Sequence, residues 1–274
     1  MRNLRLTVEF DGTKYAGWQF QPRHQTVQGE IESAFGKILQ KKVTVYGCGR
    51  TDAGVSARAY VANVHVDSSL TPDRLKLALN HFLPNDILIL SIEEAKPGFH
   101  ARHSALGKTY AYRIVRRKSP LRRRHAWEFW FKLDVEKMRK AARLFEGAKD
   151  FRPFCRMGTV PDCAALLRGG DCTHPVPGKE DGICHVHHVR VGAGHERIVL
   201  DSYRVPSPPD EVLVTVEGDR FLYKMVRRIV GALVACGSGR LTQKDIRAAL
   251  AGKPYPPFQT APAQGLLLDS VDYE

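Results

Sequence analysis

A short glycine-rich segment contains the residues best suited to chemistry. Residues 47–57 place three glycines and several small residues around one arginine, Arg50, and one aspartate, Asp52. Glycines allow unusual backbone angles and let a ligand approach the main chain. A carboxylate on such a loop could act as a nucleophile or a base, with Arg50 favouring its charged form or contacting phosphate. The alternative is an aspartate that closes a turn by bonding its own backbone.

A run of basic residues forms a second candidate site. Residues 113–124 include seven arginines and lysines and no acidic residue. Such a run can bind a phosphate backbone, and Trp127, which follows it after His125, could stack on an unpaired base. The whole chain has a formal net charge of +13, which also favours a polyanionic partner. The alternative is a solvated loop without a ligand.

Two further segments offer side chains for a pocket. Tyr110 and Tyr112 lie two residues apart on a predicted strand, so they share one face, and one of them could lie under a base. Arg227 and Arg228 lie off the apolar stripe of a predicted helix, and periodicity does not decide whether either points into a site. Ordinary packing in a sheet, or on a helix surface, is the alternative for each pair.

Cysteine and histidine residues cluster in the stretch 155–194, which raises the question of a metal site. The spacing contains no pair of cysteines separated by two residues, so we favour buried or incidental thiols over zinc. The spacing therefore favours no metal site in this stretch. The residues concerned are Cys155, Cys163, Cys172, Cys184, His174, His185, His187 and His188.

Hydrophobic periodicity predicts the elements that position these residues. Helices are predicted at 27–39 after Thr26, from Pro72, at 135–145 after Asp134, at 221–235 and at 243–250 after Thr242. Strands are predicted at 4–10, 43–46, 60–66, 87–92, 109–115, 197–203, 212–217 and 266–271.

The order of the elements predicts an α+β fold with largely antiparallel sheets. We expect an N-terminal subdomain at 1–104 and a C-terminal subdomain at 105–274, with an irregular insertion near 155–194. The 274 residues are 43% hydrophobic, enough for a sizeable core. We find neither a signal peptide nor a membrane span in the sequence and expect a cytoplasmic protein.

The segments, taken in order, resemble the bacterial tRNA pseudouridine synthase A family along nearly the whole chain. Any one of them is unspecific, and their joint order carries the resemblance. They lie at 10–19, 26–28, 49–54 (Gly-Arg-Thr-Asp-Ala-Gly), 78–80 with 83–84, 99–102 (Phe-His-Ala-Arg), 108–112 (Lys-Thr-Tyr-Ala-Tyr), 221–231 and 260–266.

The resemblance implies an architecture and a partner. Two α+β subdomains would join their sheets into one extended antiparallel sheet flanked by helices, with a central active-site cleft. The protein would be a homodimer that binds one tRNA across both subunits, and it would need no cofactor, metal or membrane.

The resemblance also implies roles for individual residues. Asp52 would be the catalytic carboxylate, Arg227 would pair with it, Tyr110 would stack on the target base, and Arg50 would help to turn the nucleotide outward. The reaction would isomerise uridine to pseudouridine in the anticodon stem-loop, at positions 38–40, after base flipping. Two alternatives stay open: a pseudouridine synthase for other tRNA or RNA sites, and a non-catalytic RNA-binding protein.

Overall fold

The computed structural model of the chain describes residues 1–155, 182–193 and 210–274. In these ranges the chain forms ten β-strands and five α-helices, and the strands pair mostly in the antiparallel sense. The α+β class and the predominance of antiparallel pairing, both predicted from the sequence, are confirmed.

The elements follow one another along the chain with these bounds. The strands are β1 Arg2–Phe10, β2 Val45–Gly47, β3 Ser56–Val66, β4 Ile87–Glu94, β5 Gly107–Val115, β6 Trp127–Glu128, β7 Gly147–Asp150, β8 Ile183–Ala193, β9 Glu211–Gly218 and β10 Leu266–Asp272. The helices are α1 Val27–Leu39, α2 Pro72–Phe82, α3 Val135–Ala142, α4 Met225–Gly237 and α5 Gln243–Leu250.

The first of two compact units consists of Met1–Ile114, Lys118–Glu128 and Ala263–Glu274. Its strands are arranged in the order β4-β1-β3-β10-β5, with β2 paired to β3 and β6 paired to β5. Strand β10 runs parallel to β3 and antiparallel to β5. Residues beyond the predicted boundary at 104/105 therefore contribute two central strands of this unit.

Local sequence explains both helices of the first unit. The Thr26 side chain accepts a hydrogen bond from the Gly29 N–H at the start of α1, and Thr71 caps α2, where Pro72 occupies the first turn. Their apolar faces join the strand side chains in one hydrophobic core, and each fully buried large side chain contributes roughly 1.5–3 kcal/mol. The buried helix residues are Val27, Ile31, Ala34, Phe35, Leu75 and Leu79.

The second unit consists of Val115–Arg117 and Phe129–Pro262. In its described residues the strands are arranged in the order β9-β8-β7, all antiparallel. Helix α4 is the centre of this unit, because all of its residues except Arg227 and Arg228 are buried. Asp134 caps α3, and Thr242 and Asp245 form a capping box at the start of α5.

The structure corrects two predictions from periodicity. Helix α4 begins at Met225 and not near Phe221, because Lys224 adopts a left-handed conformation with φ 60° and interrupts the helix there. Residues 183–193, which the sequence placed in an irregular stretch, form strand β8. The strand predicted at 197–203 lies outside the described residues, as do Cys163, Cys172 and His174.

No helix in the described parts of the chain combines the length and apolar character that crossing a membrane requires.

Candidate active site

Asp52 lies half-buried on the loop that connects the hairpin strands β2 and β3. The loop begins with the Cys48 N–H donating to the Val61 carbonyl at 2.9 Å. It ends in a tight turn, in which the Val55 N–H donates to the Asp52 carbonyl at 3.1 Å and Gly54 has φ 82°. The predicted glycine-rich segment is thus a short connection with Asp52 near its tip.

A second backbone segment, residues 12–18, holds this loop from the side. The Trp18 N–H lies 3.4 Å from the Thr51 carbonyl, and the Gly54 N–H lies 3.3 Å from the Tyr15 carbonyl. Gly17 has φ 102°, and a Cβ atom at this position would lie 2.4 Å from the Thr51 carbonyl oxygen. Only glycine fits at residue 17, so the backbone next to Asp52 depends on it.

Aromatic side chains support the loop from below. Trp18 and Tyr60 stack with their ring centroids 3.9 Å apart, and the Tyr60 hydroxyl donates a hydrogen bond to the Gly49 carbonyl. Burial raises the pKa of Tyr60 well above its usual value, so its phenol stays protonated and remains a donor. These contacts hold the first half of the loop in place.

Tyr110 on β5 is the predicted site residue on which the Asp52 carboxylate acts electrostatically. Its pKa is raised far above the usual range, first by burial and then by the Cys48 thiol and the Asp52 carboxylate, so the charge of Asp52 reaches its phenol. Tyr112 is fully buried, and a Cβ atom at Gly265 would lie 2.6 Å from its ring. Of the two tyrosines, Tyr110 is therefore the one available to a base.

Lys108 is a site residue that sequence reasoning did not single out. It lies two residues before Tyr110, and its Nζ atom would be 3.1 Å from a Cβ atom at Gly49. Burial lowers the pKa of Lys108, and the positive charge of Arg102 lowers it further, whereas the Cys48 thiol acts in the opposite direction. Its period-two spacing from Tyr110 was the signal that could have pointed to it.

The two candidate arginines lie in different places. Arg50 is exposed on the Asp52 loop, in the first unit. Arg227 lies in the first turn of α4 in the second unit, half-buried, with its Nε–H donating to the Ala261 carbonyl at 2.7 Å. Since these residues belong to separate units, the pairing of Arg227 with Asp52 stays a prediction.

Arg228 has a structural position. Its guanidinium lies 4.7 Å from the centroid of the Phe258 ring and donates to the Pro153 carbonyl at 3.3 Å. Such contacts fix an arginine within its own unit. Arg227 is likewise bonded within its own unit, through the Ala261 carbonyl, so the preference for Arg227 rests on the family resemblance and stays a prediction.

The basic run at 113–124 is largely exposed, as expected for a surface that contacts RNA. Arg117 forms an ion pair with Asp210 at 2.5 Å, and His125 lies 3.8 Å from Asp11. The hypothesis that Trp127 stacks on a base is wrong. Trp127 is only 7% exposed and packs edge-on against Tyr112, with the ring centroids 6.4 Å apart.

Within the described ranges, no group of three or more cysteine, histidine or acidic side chains could hold a metal ion. Cys184 is buried, and His185 and His187 face solvent on β8 with their ring centroids 4.6 Å apart. Three further residues of the clustered stretch, Cys163, Cys172 and His174, lie outside these ranges.

A half-buried carboxylate on a supported loop, beside a protonated tyrosine, fits the active site of an enzyme. A family model described as tRNA pseudouridine synthase matches residues 6–104 and 175–274. The chain belongs to the tRNA pseudouridine synthase family, and it is accordingly an isomerase.

Relatives match along the entire chain. The tRNA pseudouridine synthase A 2 of Clostridium perfringens is 35% identical over 276 residues, with all of both chains covered. The tRNA pseudouridine synthases A of Ruminiclostridium cellulolyticum and Geobacter sulfurreducens are each 37% identical, again over the full length of both chains. A solved Cbf5–Nop10–Gar1 complex contains a chain that matches 84% of this one at 11% identity, with a TM-score of 0.31, too low to support an argument.

Proposed function

We propose that the protein converts uridine to pseudouridine in the anticodon stem-loop of tRNA, at positions 38–40, with Asp52 as the catalytic carboxylate. Pseudouridine formation in tRNA follows from membership of the family. The observation that carries the assignment of Asp52 is its loop, which a second backbone segment holds and which brings the carboxylate within electrostatic reach of Tyr110.

The reaction replaces one bond between the uracil ring and the ribose by another. The bond between N1 and the ribose C1′ breaks, a bond between C5 and C1′ forms, C5 loses a proton and N1 gains one. No group leaves and no electron is transferred to an acceptor. An ionised Asp52 can take part by attacking C1′, by adding to the ring, or by removing a sugar proton.

The target uridine has to leave its stack to reach Asp52. Extrusion costs a few kcal/mol and is easier from a loop than from a duplex. We assign Tyr110 to stack on the extruded base, because it is the tyrosine near Asp52 that is not fully buried. We assign Arg50, exposed on the same loop, to contact the displaced nucleotide.

The remaining parts of the proposal concern charge and assembly. Arg227 pairs with Asp52 and balances its negative charge. The exposed arginines and lysines of the run 113–124 bind tRNA phosphates outside the pocket. The protein acts in the cytoplasm as a homodimer that binds one tRNA across both subunits.

The test is pseudouridine formation on an unmodified anticodon-arm transcript by wild type and by Asp52→Asn. We expect the variant to be slower by at least about a thousandfold, because the nucleophile or base is lost. Its tRNA affinity should be equal or slightly higher, since an anion near phosphates has been removed. Asp67→Asn is the matched control: Asp67 is an exposed carboxylate whose only ion pair among the described residues is with Lys41, at 3.9 Å.

Two results would change the proposal, and one further measurement locates the modified site. An active Asp52→Asn enzyme would remove Asp52 from the chemistry. A wild-type protein that binds tRNA and converts no uridine would be a non-catalytic RNA-binding protein. Position-by-position mapping of pseudouridine in full tRNA decides between the anticodon arm and other sites.

A further inference from the structure

We propose that Lys108, together with Arg102, forms a phosphate-binding site beside the Asp52 loop, and that a phosphodiester of the RNA occupies it. This inference rests on the proposed function, since RNA supplies the anion. The candidate roles of Asp52, Arg50, Tyr110 and Arg227 do not include this site.

The position of Lys108 places its charge at the base of the loop. Lys108 and Tyr110 share a face of β5, because they are two residues apart on one strand. A Cβ atom at Gly49 would lie 3.1 Å from Nζ and 4.0 Å from Cε of Lys108, so the absence of a side chain there leaves room for the ammonium group. Gly49 in turn is three residues from Asp52.

Arg102 lies on a turn that several hydrogen bonds fix. The Ala101 N–H donates to Oδ1 of the buried Asn63 at 2.9 Å, and the Tyr273 hydroxyl donates to the Ala101 carbonyl at 2.6 Å. The Arg102 N–H donates to Nδ1 of His100 at 3.1 Å. The side chain of Arg102 is exposed, and its charge reaches Lys108.

Within the described residues, the ammonium of Lys108 has neither a hydrogen-bond acceptor nor a carboxylate partner. The groups that act on it are the cation of Arg102 and the thiol of Cys48. Burial raises the pKa of Cys48, so this thiol is neutral at pH 7 and supplies no counter-charge. A half-buried cation without an anion costs stability, and a second cation nearby adds to that cost.

The same unit contains a cation that is supplied with an anion. Arg58 on β3 forms an ion pair at 2.5 Å with Asp269 on β10, and the Asp269 side chain is only 5% exposed. The fold therefore provides a carboxylate partner for a cation that has a structural role. At Lys108 it provides none, which is the arrangement expected when the anion arrives with a ligand.

A phosphodiester matches this site better than a base does. An unpaired ammonium group attracts a full negative charge more strongly than a uracil carbonyl, which offers only a partial one. RNA carries one such charge per nucleotide, and the site lies beside the loop that the target nucleotide has to approach. Lysine binds phosphate as a compact point charge, which suits a site with limited space.

The test uses Lys108→Met in the Asp52→Asn background, so that the RNA stays unmodified while binding is measured. We expect about tenfold weaker binding of an anticodon-arm transcript at 0.1 M salt. The slope of log affinity against log salt should decrease in magnitude by about 0.7 to 1, as for the loss of one phosphate contact. The midpoint of thermal unfolding should rise by about 2 °C, because an uncompensated charge has been removed.

Three further variants complete the design. Lys108→Arg keeps the charge and should retain most of the salt slope. Gly49→Ala keeps the charge but occupies the space beside Nζ, so binding should weaken without a rise in the thermal midpoint. Lys42→Met removes an exposed lysine of the same unit and should leave the thermal midpoint unchanged.

A lower thermal midpoint for Lys108→Met with unchanged binding would overturn the proposal and make Lys108 a support for the loop. Weaker binding with an unchanged salt slope would also overturn it, because the contact would then be with a neutral group. The two proposals can fail separately. An inactive wild type whose RNA binding responds to Lys108→Met contradicts only the catalytic assignment, and an active wild type whose binding ignores the change contradicts only this one.

Discussion

The loop of Asp52 and the first turns of α4 around Arg227 are both packed against a second backbone segment, but in different ways. In both regions a glycine lets a second backbone segment come very close. At Gly17 a Cβ atom would lie 2.4 Å from the Thr51 carbonyl oxygen, and at Gly231 it would lie 2.0 Å from the Gln259 carbonyl oxygen. The regions differ in secondary structure, since Asp52 lies on a loop and Arg227 lies on a helix.

This difference determines whether the second backbone segment fixes the functional residue or is itself held in place. The Asp52 loop is not part of a helix or strand, and the segment 12–18 and the Tyr60 hydroxyl bond it from outside. Arg227 stands on a helix with its own ladder of hydrogen bonds, and the helix holds the extended segment: the Ala261 N–H donates to the Arg227 carbonyl at 3.1 Å. The position of Asp52 should therefore depend strongly on the backbone segment packed against its loop. The position of Arg227 should depend only weakly on the segment packed against its helix.

The largest effect is expected for Gly17→Ala. The new Cβ would contact the Thr51 carbonyl, and φ 102° is unfavourable for alanine, so the loop has to shift. We expect a loss of about 2–4 kcal/mol in the free energy of unfolding and a rate of pseudouridine formation about 100-fold lower. Denaturant titration and single-turnover kinetics measure the two effects.

Gly239→Ala is the matched control for Gly17→Ala. Gly239 also has positive φ, at 79°, but nothing lies within 4 Å of its Cβ position. This variant should lose about 1 kcal/mol and keep its rate. Equal losses of rate in both variants would show that overall strain, and not the contact with Thr51, controls the position of Asp52.

A smaller effect is expected for Gly231→Ala in α4. Alanine favours the helix by about 1 kcal/mol, but its Cβ would displace the backbone at Gln259. We expect a net loss of about 1–2 kcal/mol and a rate about tenfold lower, less than for Gly17→Ala, because the helix itself stays in place. Circular dichroism melts and single-turnover assays check this.

Gly36→Ala in α1 serves as the control for Gly231→Ala. A Cβ atom there would lie 3.9 Å from the Lys41 carbonyl, an ordinary contact, so the variant should gain about 0.5–1 kcal/mol. If Gly231→Ala were as damaging to the rate as Gly17→Ala, the contrast between loop and helix would be wrong.

The smallest effect is expected for Tyr60→Phe, which removes the hydroxyl below Gly49. The part-buried Gly49 carbonyl loses its donor, at a cost of about 0.5–1.5 kcal/mol, and the ring stack with Trp18 is retained. The rate should fall by no more than about tenfold. Tyr46→Phe, at an exposed tyrosine of β2, should change the free energy of unfolding by less than about 0.5 kcal/mol.

Local signals in the sequence were sufficient for much of the fold. Thr26 and the apolar spacing that follows it gave helix α1 with its observed ends, because capping and amphipathic periodicity are local. The predicted start of α4 was wrong for a related reason. Residues 221–224 continue the apolar spacing, and periodicity carries no information that Lys224 adopts a left-handed conformation.

The site was predictable to the extent that residue type and order carry it. The family resemblance selected Asp52 and Tyr110, and the structure places these two within electrostatic reach of each other. The burial of Trp127 and the contact between Lys108 and Gly49 are tertiary facts, since each depends on strands that are distant in sequence. Gly17 was missed for the same reason, because its partner is the carbonyl of Thr51.

Strand β10 has a consequence for the order of events during synthesis. It lies between β3 and β5, pairing Leu268 with Ala57 on one side and with Tyr110 on the other. Strand β3 follows the Asp52 loop directly, and β5 carries Tyr110. A nascent chain that has not yet exposed residues 266–272 lacks the strand that connects these two, although both have already left the ribosome. The pocket should therefore form only after residues 266–272 have been synthesised and have paired with these two strands.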